Sequence, residues 1–218
     1  MKNIVITGGK GDIAIAIKNH LSKNTKYKIT NPGKNELNVL DFMSIDNFFK
    51  SNQVDVLINN AGYINPIILQ EDSSDNEEAS INTNLTGVFL CTMETLKHNP
   101  KALIINIGSS AGSSPHGNGW SSYCATKAAV IMATKCWAME GIKAICISPG
   151  RSNTKMRNRL FPDEDQTTLL NPIDFAEVVE MAIEGEFPYG ENIDVNVKNI
   201  KDILGGKRNS LQKSQAKF

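Results

Sequence analysis

A parallel, doubly wound α/β sheet of seven strands, with helices on both faces, is the fold this chain predicts. Three observations predict it. Short apolar runs alternate with longer helical patterns along the chain, the signature of repeated βαβ units. Most of the runs are apolar throughout rather than every second residue, as in strands covered by helices on both sides. The first run passes straight into a glycine-rich turn that opens a helix. Crossovers between parallel strands are right-handed, so such a chain winds into an open twisted sheet.

The first strand is read as Asn3–Thr7. Asp12–Asn24 follows as a helix, with Ile13, Ile17 and Leu21 on one face. Tyr27–Thr30 is the second strand, ended by Asn31-Pro32-Gly33. Leu37–Leu40 reads as a short third strand and Ser44–Ser51 as a small helix. Val54–Asn59 is a strong fourth strand, and a long helix spans Asn76–His98, stopped near Pro100. Ala102–Ile107, Lys143–Ile147 and Asn192–Val195 complete the seven strands. Helices at Trp120–Met139 and Asp174–Glu184 lie between the later ones. Residues 1–197 are expected to form one domain, and 198–218 a basic tail with Lys201, Lys207, Arg208, Lys213 and Lys217.

Composition narrows the function. The chain has 218 residues, with 23 Lys plus Arg against 23 Asp plus Glu. That balance offers no general attraction to nucleic acid or to an anionic membrane. No run approaches the roughly 18 apolar residues that span a bilayer. A strand starts almost at the first residue, with no leader before it, and a cytoplasmic place is expected. Cysteines 91, 124, 136 and 146 make no Cys-x-x-Cys pair, so reduced thiols are expected and no metal site.

The glycine-rich turn reads Thr7-Gly8-Gly9-Lys10-Gly11-Asp12-Ile13-Ala14. Small residues there let backbone approach a pyrophosphate, whose charge suits a helix amino end. An NAD site places an acid about 20 residues on, to hold the ribose 2′-hydroxyl. Ile29-Thr30-Asn31-Pro32-Gly33-Lys34 supplies none. Lys10 and Lys34 are candidates to pair a 2′-phosphate, which favours NADP over NAD.

A second constellation lies in the middle of the chain. Tyr123 and Lys127 are four apart on a helix and so share a face. Ser109 ends the preceding apolar strand, fourteen residues before Tyr123. An ammonium beside a phenol favours the phenolate, which suits a Tyr that gives or takes the proton when a carbonyl becomes an alcohol.

These motifs, in this order, resemble the short-chain dehydrogenase/reductase family from Lys2 to about Val197. The glycine turn is followed by Asn59-Asn60-Ala61-Gly62, by Asn82-Thr83-Asn84-Leu85-Thr86-Gly87, by Asn106-Ile107-Gly108-Ser109, by Tyr123-x-x-x-Lys127, and by Ser148-Pro149-Gly150 with Thr154. The resemblance implies a Rossmann fold and an NAD(P)-dependent oxidoreductase interconverting a ketone or aldehyde and an alcohol. It implies Tyr123 as general acid/base, Lys127 to lower the Tyr pKa and hold the nicotinamide ribose, and Ser109 to hold the substrate oxygen. Asn84 would anchor a water in a proton relay. Asn60, Ala61 and Gly62 would line the adenosine side, Asp41 would contact adenine, and Thr154 the carboxamide, beside Pro149 and Gly150. Asn31 joins Thr7, Gly9, Asp12 and Ile13 in the expected cofactor set. A homodimer or homotetramer through the two long helices is implied as well.

Other residues keep two readings. Ser110 neighbours Ser109, which the alignment favours. His116 and Trp120 border the expected substrate pocket, as contacts or as plain loop residues. Arg151, Arg157 and Arg159 lie in a short lid and read either as anion binders or as solvated charge. A non-catalytic NADP-sensing protein, or a sugar-nucleotide enzyme with tightly held NAD, remain the competing functions.

Overall fold

The computed structural model describes residues 1–206. Six parallel strands form one sheet in the order β2-β1-β3-β4-β5-β6. They are β1 (Lys2–Ile6), β2 (Tyr27–Thr30), β3 (Val56–Asn59), β4 (Leu103–Ile107), β5 (Ala144–Pro149) and β6 (Asn192–Val195). The sheet is the doubly wound one expected, with six strands instead of seven.

The missing strand is Leu37–Leu40, which is an irregular turn. Leu37 and Val39 are buried, so their apolar character has a use, but not a ladder. Asn38 satisfies the local backbone instead. Its Oδ1 accepts the Leu40 N–H, its carbonyl accepts the Asp41 N–H, and its own N–H donates to Ser44 Oγ. Asn residues compete with strand pairing in this way.

α-Helices cover the faces, among them α1 (Asp12–Leu21), α2 (Phe42–Ser51), α3 (Ser74–Ile81), α4 (Gly87–His98), α5 (Ser121–Met139), α6 (Lys155–Leu160) and α7 (Pro172–Ile183). Successive strand residues point to opposite faces. Ile4 and Ile6 therefore pack with Ile17, Leu21 and Phe175 under α1 and α7. Val5 packs with Phe49, Val88, Val130 and Trp137 under α2, α4 and α5. Side chains cap several helix starts: Asp41 at α2, Ser73 at α3, Thr154 at α6 and Asn171 at α7, where Pro172 takes the first helical position.

The long helix expected over Asn76–His98 is interrupted. A π turn at Asn82–Thr86 separates α3 from α4 and carries the buried Asn84. Such single π turns recur at functional sites. Gly87, directly after it, leaves room for the Leu37–Leu40 turn, since a Cβ there would stand 2.9 Å from the Val39 carbonyl oxygen. The packed unit also extends past Val197. Residues 200–206 are helical, and Ile200, Ile203 and Leu204 join the core beside α1 and α7. Lys207, Arg208, Lys213 and Lys217 lie outside the described residues. No helix among the described residues is long and apolar enough to cross a membrane.

Candidate active site

The glycine turn is built by close approach. Gly8 has φ +65°, a conformation that L side chains avoid. At Gly9 a Cβ would lie 2.0 Å from the Asn31 carbonyl oxygen, so only glycine fits. The Gly9 N–H donates to the Pro32 carbonyl at 2.9 Å, and the Asn31 amide donates to the Gly9 carbonyl at 3.2 Å. The turn is thus pinned to the end of β2. On the other side, Thr7 Oγ1 accepts the N–H groups of Asn60 and Ala61 at 3.0 and 2.9 Å. Asn60 Nδ2 returns a bond to the Thr7 carbonyl at 3.0 Å. Thr7, Gly9 and Asn31 therefore shape the turn from behind.

A cavity of about 600 Å³ opens in front of it, over the carboxyl ends of β1, β3, β4 and β5. In doubly wound sheets this crevice is where ligands bind. Gly8, Lys10, Gly11, Asp12, Ile13, Lys34, Asn60, Ala61, Gly62, Tyr123, Lys127, Pro149 and Thr154 all line it. Ser109 and Gly150 stand just outside the lining. So does Asp41, whose carboxylate accepts the Met43 and Ser44 N–H groups as the cap of α2. Among the described residues no group of three His, Cys, Asp or Glu is placed to hold a metal ion.

Tyr123 and Lys127 line this cavity together. Helix α5 presents Tyr123 and Lys127 on one face, with the Lys127 Nζ 5.8 Å from the Tyr123 ring centre. Lys127 is 5% exposed and donates to the Ile107 carbonyl at 2.8 Å, at the end of β4. Burial lowers its pKa to about 8. Ser109, directly after β4, hydrogen-bonds the Tyr123 hydroxyl and also accepts the Ala111 N–H at 3.2 Å. It is Ser109, not Ser110, that faces Tyr123.

The surroundings of the Tyr123 hydroxyl act against its ionisation. Burial raises its pKa above the ordinary value; the Ser109 bond opposes that, and the nearby Cys124 thiol adds to it. With its pKa raised in this way, Tyr123 is un-ionised at neutral pH. Asn84 is fully buried and bonded through its side chain. Its side chain brackets the Tyr63 main chain, accepting the N–H and donating to the carbonyl, each at 2.8 Å. A second amide proton goes to Ser80 Oγ at 3.4 Å. With its side chain so engaged, Asn84 fixes the cavity wall at Tyr63.

The lid over residues 150–172 carries the three arginines. Arg157 forms a forked pair with Glu164 at 2.6 and 2.8 Å, and Arg151 adds a bond to the same carboxylate at 2.9 Å. These cations hold Glu164 below the usual carboxylate range. Arg159 donates to the Ile64 carbonyl at 3.0 Å. Arg151 and Arg157 brace the lid from within, and Arg159 ties it to the loop after β3. Trp120 meets the Tyr123 ring edge-on at 5.7 Å, with His116 at 5.2 Å and Phe161 of the lid at 6.2 Å on either side. Arg157 covers the Phe161 ring at 3.8 Å. The Trp120 side chain thus joins the lid to the helix that carries Tyr123.

The sequence model of the short chain dehydrogenase family matches residues 42–165. A 3-oxoacyl-(acyl-carrier-protein) reductase of Vibrio harveyi is 32% identical over 205 residues, 84% of this chain and 81% of that protein. The chain belongs to the short-chain dehydrogenase family. It is also 36% identical over 126 residues to a (2S)-(R)-hydroxy(phenyl)methyl-succinyl-CoA dehydrogenase subunit of Thauera aromatica, where the match takes in 55% of this chain and half of that protein. Among solved structures, that of ElxO with NADP bound superimposes with a TM-score of 0.80 at 26% identity, over 89% of this chain and 96% of that one.

As a short-chain dehydrogenase this chain has cavity residues that sequence reasoning missed. Leu37, Asn38, Val39 and Leu40 line one end, and Tyr63, Ala79 and Thr83 a side. An apolar loop right after β2, at the carboxyl edge of the sheet, was the available signal for the first group. Helix α6, with Lys155 and Met156 on the wall, carries no apolar period to find it by, only the Thr154 cap.

Proposed function

We propose that this short-chain dehydrogenase reduces a ketone or aldehyde, or oxidises the corresponding alcohol, with NADP as the preferred cofactor. The observation that carries this reading is the meeting of the Tyr123 hydroxyl, the Ser109 hydroxyl and the buried Lys127 ammonium at the end of a cavity that begins at a glycine turn. The cavity fits a dinucleotide. Its volume is in the range of cofactor sites. Helix α1 starts at Gly11 without a side-chain cap, which leaves its first amides to an anion. Gly8, Gly11 and Ile13 would hold the diphosphate, Asn60 to Gly62 and the Leu37–Leu40 turn the adenosine half, and Pro149 and Thr154 the nicotinamide half.

When bound, the nicotinamide supplies or accepts the hydride. The chain's own groups manage the proton and the charge. Ser109 and Tyr123 direct hydroxyl donors at the carbonyl oxygen, which stabilises negative charge as it develops there. Tyr123 then gives its proton to that oxygen, and the alcohol forms. Lys127, with a pKa of about 8, can return a proton to Tyr123 near neutral pH. Oxidation runs the same transfers backwards, with Tyr123 as base. A screen of NADPH consumption over carbonyl classes tests the reading. Activity on none of them, with intact cofactor binding, would favour a non-catalytic sensor.

The cofactor preference rests on charge at the end of β2. Lys10 and Lys34 line the cavity there. Glu36, the first acid after β2 in the sequence, accepts the Gly33 N–H at 2.8 Å and does not line the cavity. NADPH is expected to bind at least about tenfold more tightly than NADH, worth about 1.4 kcal/mol. Removing both lysines should erase the difference, as read by fluorescence titration; equal affinities in the wild type would refute the assignment.

Self-association through α4 and α5 is part of the same proposal. Phe89, Met93, Met132 and Met139 stand exposed on these helices, Met139 at 88%. Exposed apolar side chains of this kind are what a subunit interface buries. Sedimentation at micromolar concentration should show a dimer or larger, and Met93→Glu with Met132→Glu should return it to a monomer. A wild-type monomer would contradict the proposal.

A further inference from the structure

Two walls of the cavity meet in one hydrogen bond. One wall is the amino end of α1, with Gly11, Asp12 and Ile13, and the other is the start of the lid, with Thr154, Lys155 and Met156. Asp12 Oδ2 accepts the main-chain N–H of Lys155 at 2.6 Å, across 143 positions of sequence. The Lys155 ammonium lies 4.0 Å from the other carboxylate oxygen and is 90% exposed, so it adds little. The link is therefore the main-chain bond. It fixes the first turn of α6, which Thr154 caps from its other side by accepting the Arg157 N–H at 3.2 Å.

The carboxylate has a second consequence. A diphosphate on the α1 amides would lie on the same wall as Asp12, and like charges a few ångströms apart repel in a cleft walled by protein. A neutral side chain at this position would spare that repulsion but would give the lid no charged acceptor. The residue therefore acts in two opposed directions at one place.

Resting on the dinucleotide reading, we propose that Asp12 is a positioning residue that orders the lid by holding the Lys155 N–H and, by its charge, weakens cofactor binding. Two substitutions separate these effects. Asp12→Asn keeps a side-chain oxygen that can accept the N–H and removes the charge. Lys155→Pro removes the N–H, together with the exposed Lys155 ammonium, and keeps the Asp12 carboxylate. Proline is tolerated there, because Lys155 is the first residue of α6 and Thr154 has the extended backbone (φ −138°, ψ 155°) that precedes proline readily.

Two readouts are needed: NADPH affinity by fluorescence titration at low and high salt, and hydrogen exchange of residues 155–161 without cofactor. D12N is expected to bind NADPH about fivefold more tightly at low salt, with a smaller gain at high salt, and to keep wild-type lid exchange. K155P is expected to exchange its lid amides about tenfold faster and to bind NADPH no more tightly than the wild type. D12N affinity equal to or weaker than wild type, or a K155P lid as protected as wild type, would overturn the proposal. A wild-type protein that binds neither NADPH nor NADH would overturn the dinucleotide reading and the affinity effect together, and lid exchange in K155P would still judge the link by itself.

Discussion

Replacing Tyr123 by Phe is expected to lower turnover of any accepted carbonyl about 10³-fold, with cofactor affinity within about twofold of the wild type. A positioned acid is worth about 10² to 10⁴ in rate, and here the hydroxyl is the whole of what is lost. The ring stays packed edge-on against Trp120, and Lys127 remains tied to the Ile107 carbonyl. The variant should therefore fold and bind normally. The raised pKa of Tyr123 adds a direction to the test. As an acid it is fully protonated through neutral pH, so reduction should be flat there. As a base it must first lose that proton, so oxidation should speed up as pH rises. Steady-state rates in both directions, for wild type and Y123F, check this; a Y123F enzyme with full turnover removes Tyr123 from the mechanism.

The second large effect is on stability. Among the described residues Lys127 is buried without a carboxylate partner, and its pKa falls from 10.5 to about 8. Below pH 8 both the folded and the unfolded chain carry this charge, and the folded state bears the whole cost of burying it. Between about pH 8 and 10.5 the unfolded chain holds a proton that the folded one has shed, so rising pH favours folding. The gain across that window is about 3 kcal/mol, at about 1.36 kcal/mol per pKa unit. Cys146, raised to about 11 by burial, works the other way at higher pH, as does Tyr123. Those groups are present in Lys127→Met as well, so the comparison cancels them except for the mutual shift of Cys146 and Lys127. Urea unfolding should find the wild type gaining on K127M by about 3 kcal/mol from pH 7 to pH 10.5. A constant difference would mean that Lys127 is not desolvated. The Ile107 carbonyl left unpaired in the variant shifts the offset but not its slope.

Much of this was legible in the residues. Val56–Asn59, Leu103–Ile107 and Ala144–Pro149 are buried along their whole length, and continuous apolar runs with that meaning are easy to read. The glycine turn and the Tyr123–Lys127 face follow from local spacing. What was not legible depends on distant partners. Leu37–Leu40 looks like a strand until Asn38 is seen bonding its own neighbourhood. Arg157 looks like an anion binder until Glu164, seven positions on, is seen to occupy it. The Tyr123 pKa depends on how deeply a whole domain buries one hydroxyl, and no motif encodes that depth.

The π turn at Asn82–Thr86 has a consequence for how one long helical stretch serves two sites. An extra residue in a helical turn advances everything after it by about 100° about the axis. Ala79 before the turn and Thr83 within it face the cavity; after it, Val88 and Cys91 face the core while Met93 is left to solvent. The stretch works as two gears set out of phase on one shaft. Apolar periodicity counted through Asn82–Thr86 without that phase shift assigns the residues of α4 to the wrong side.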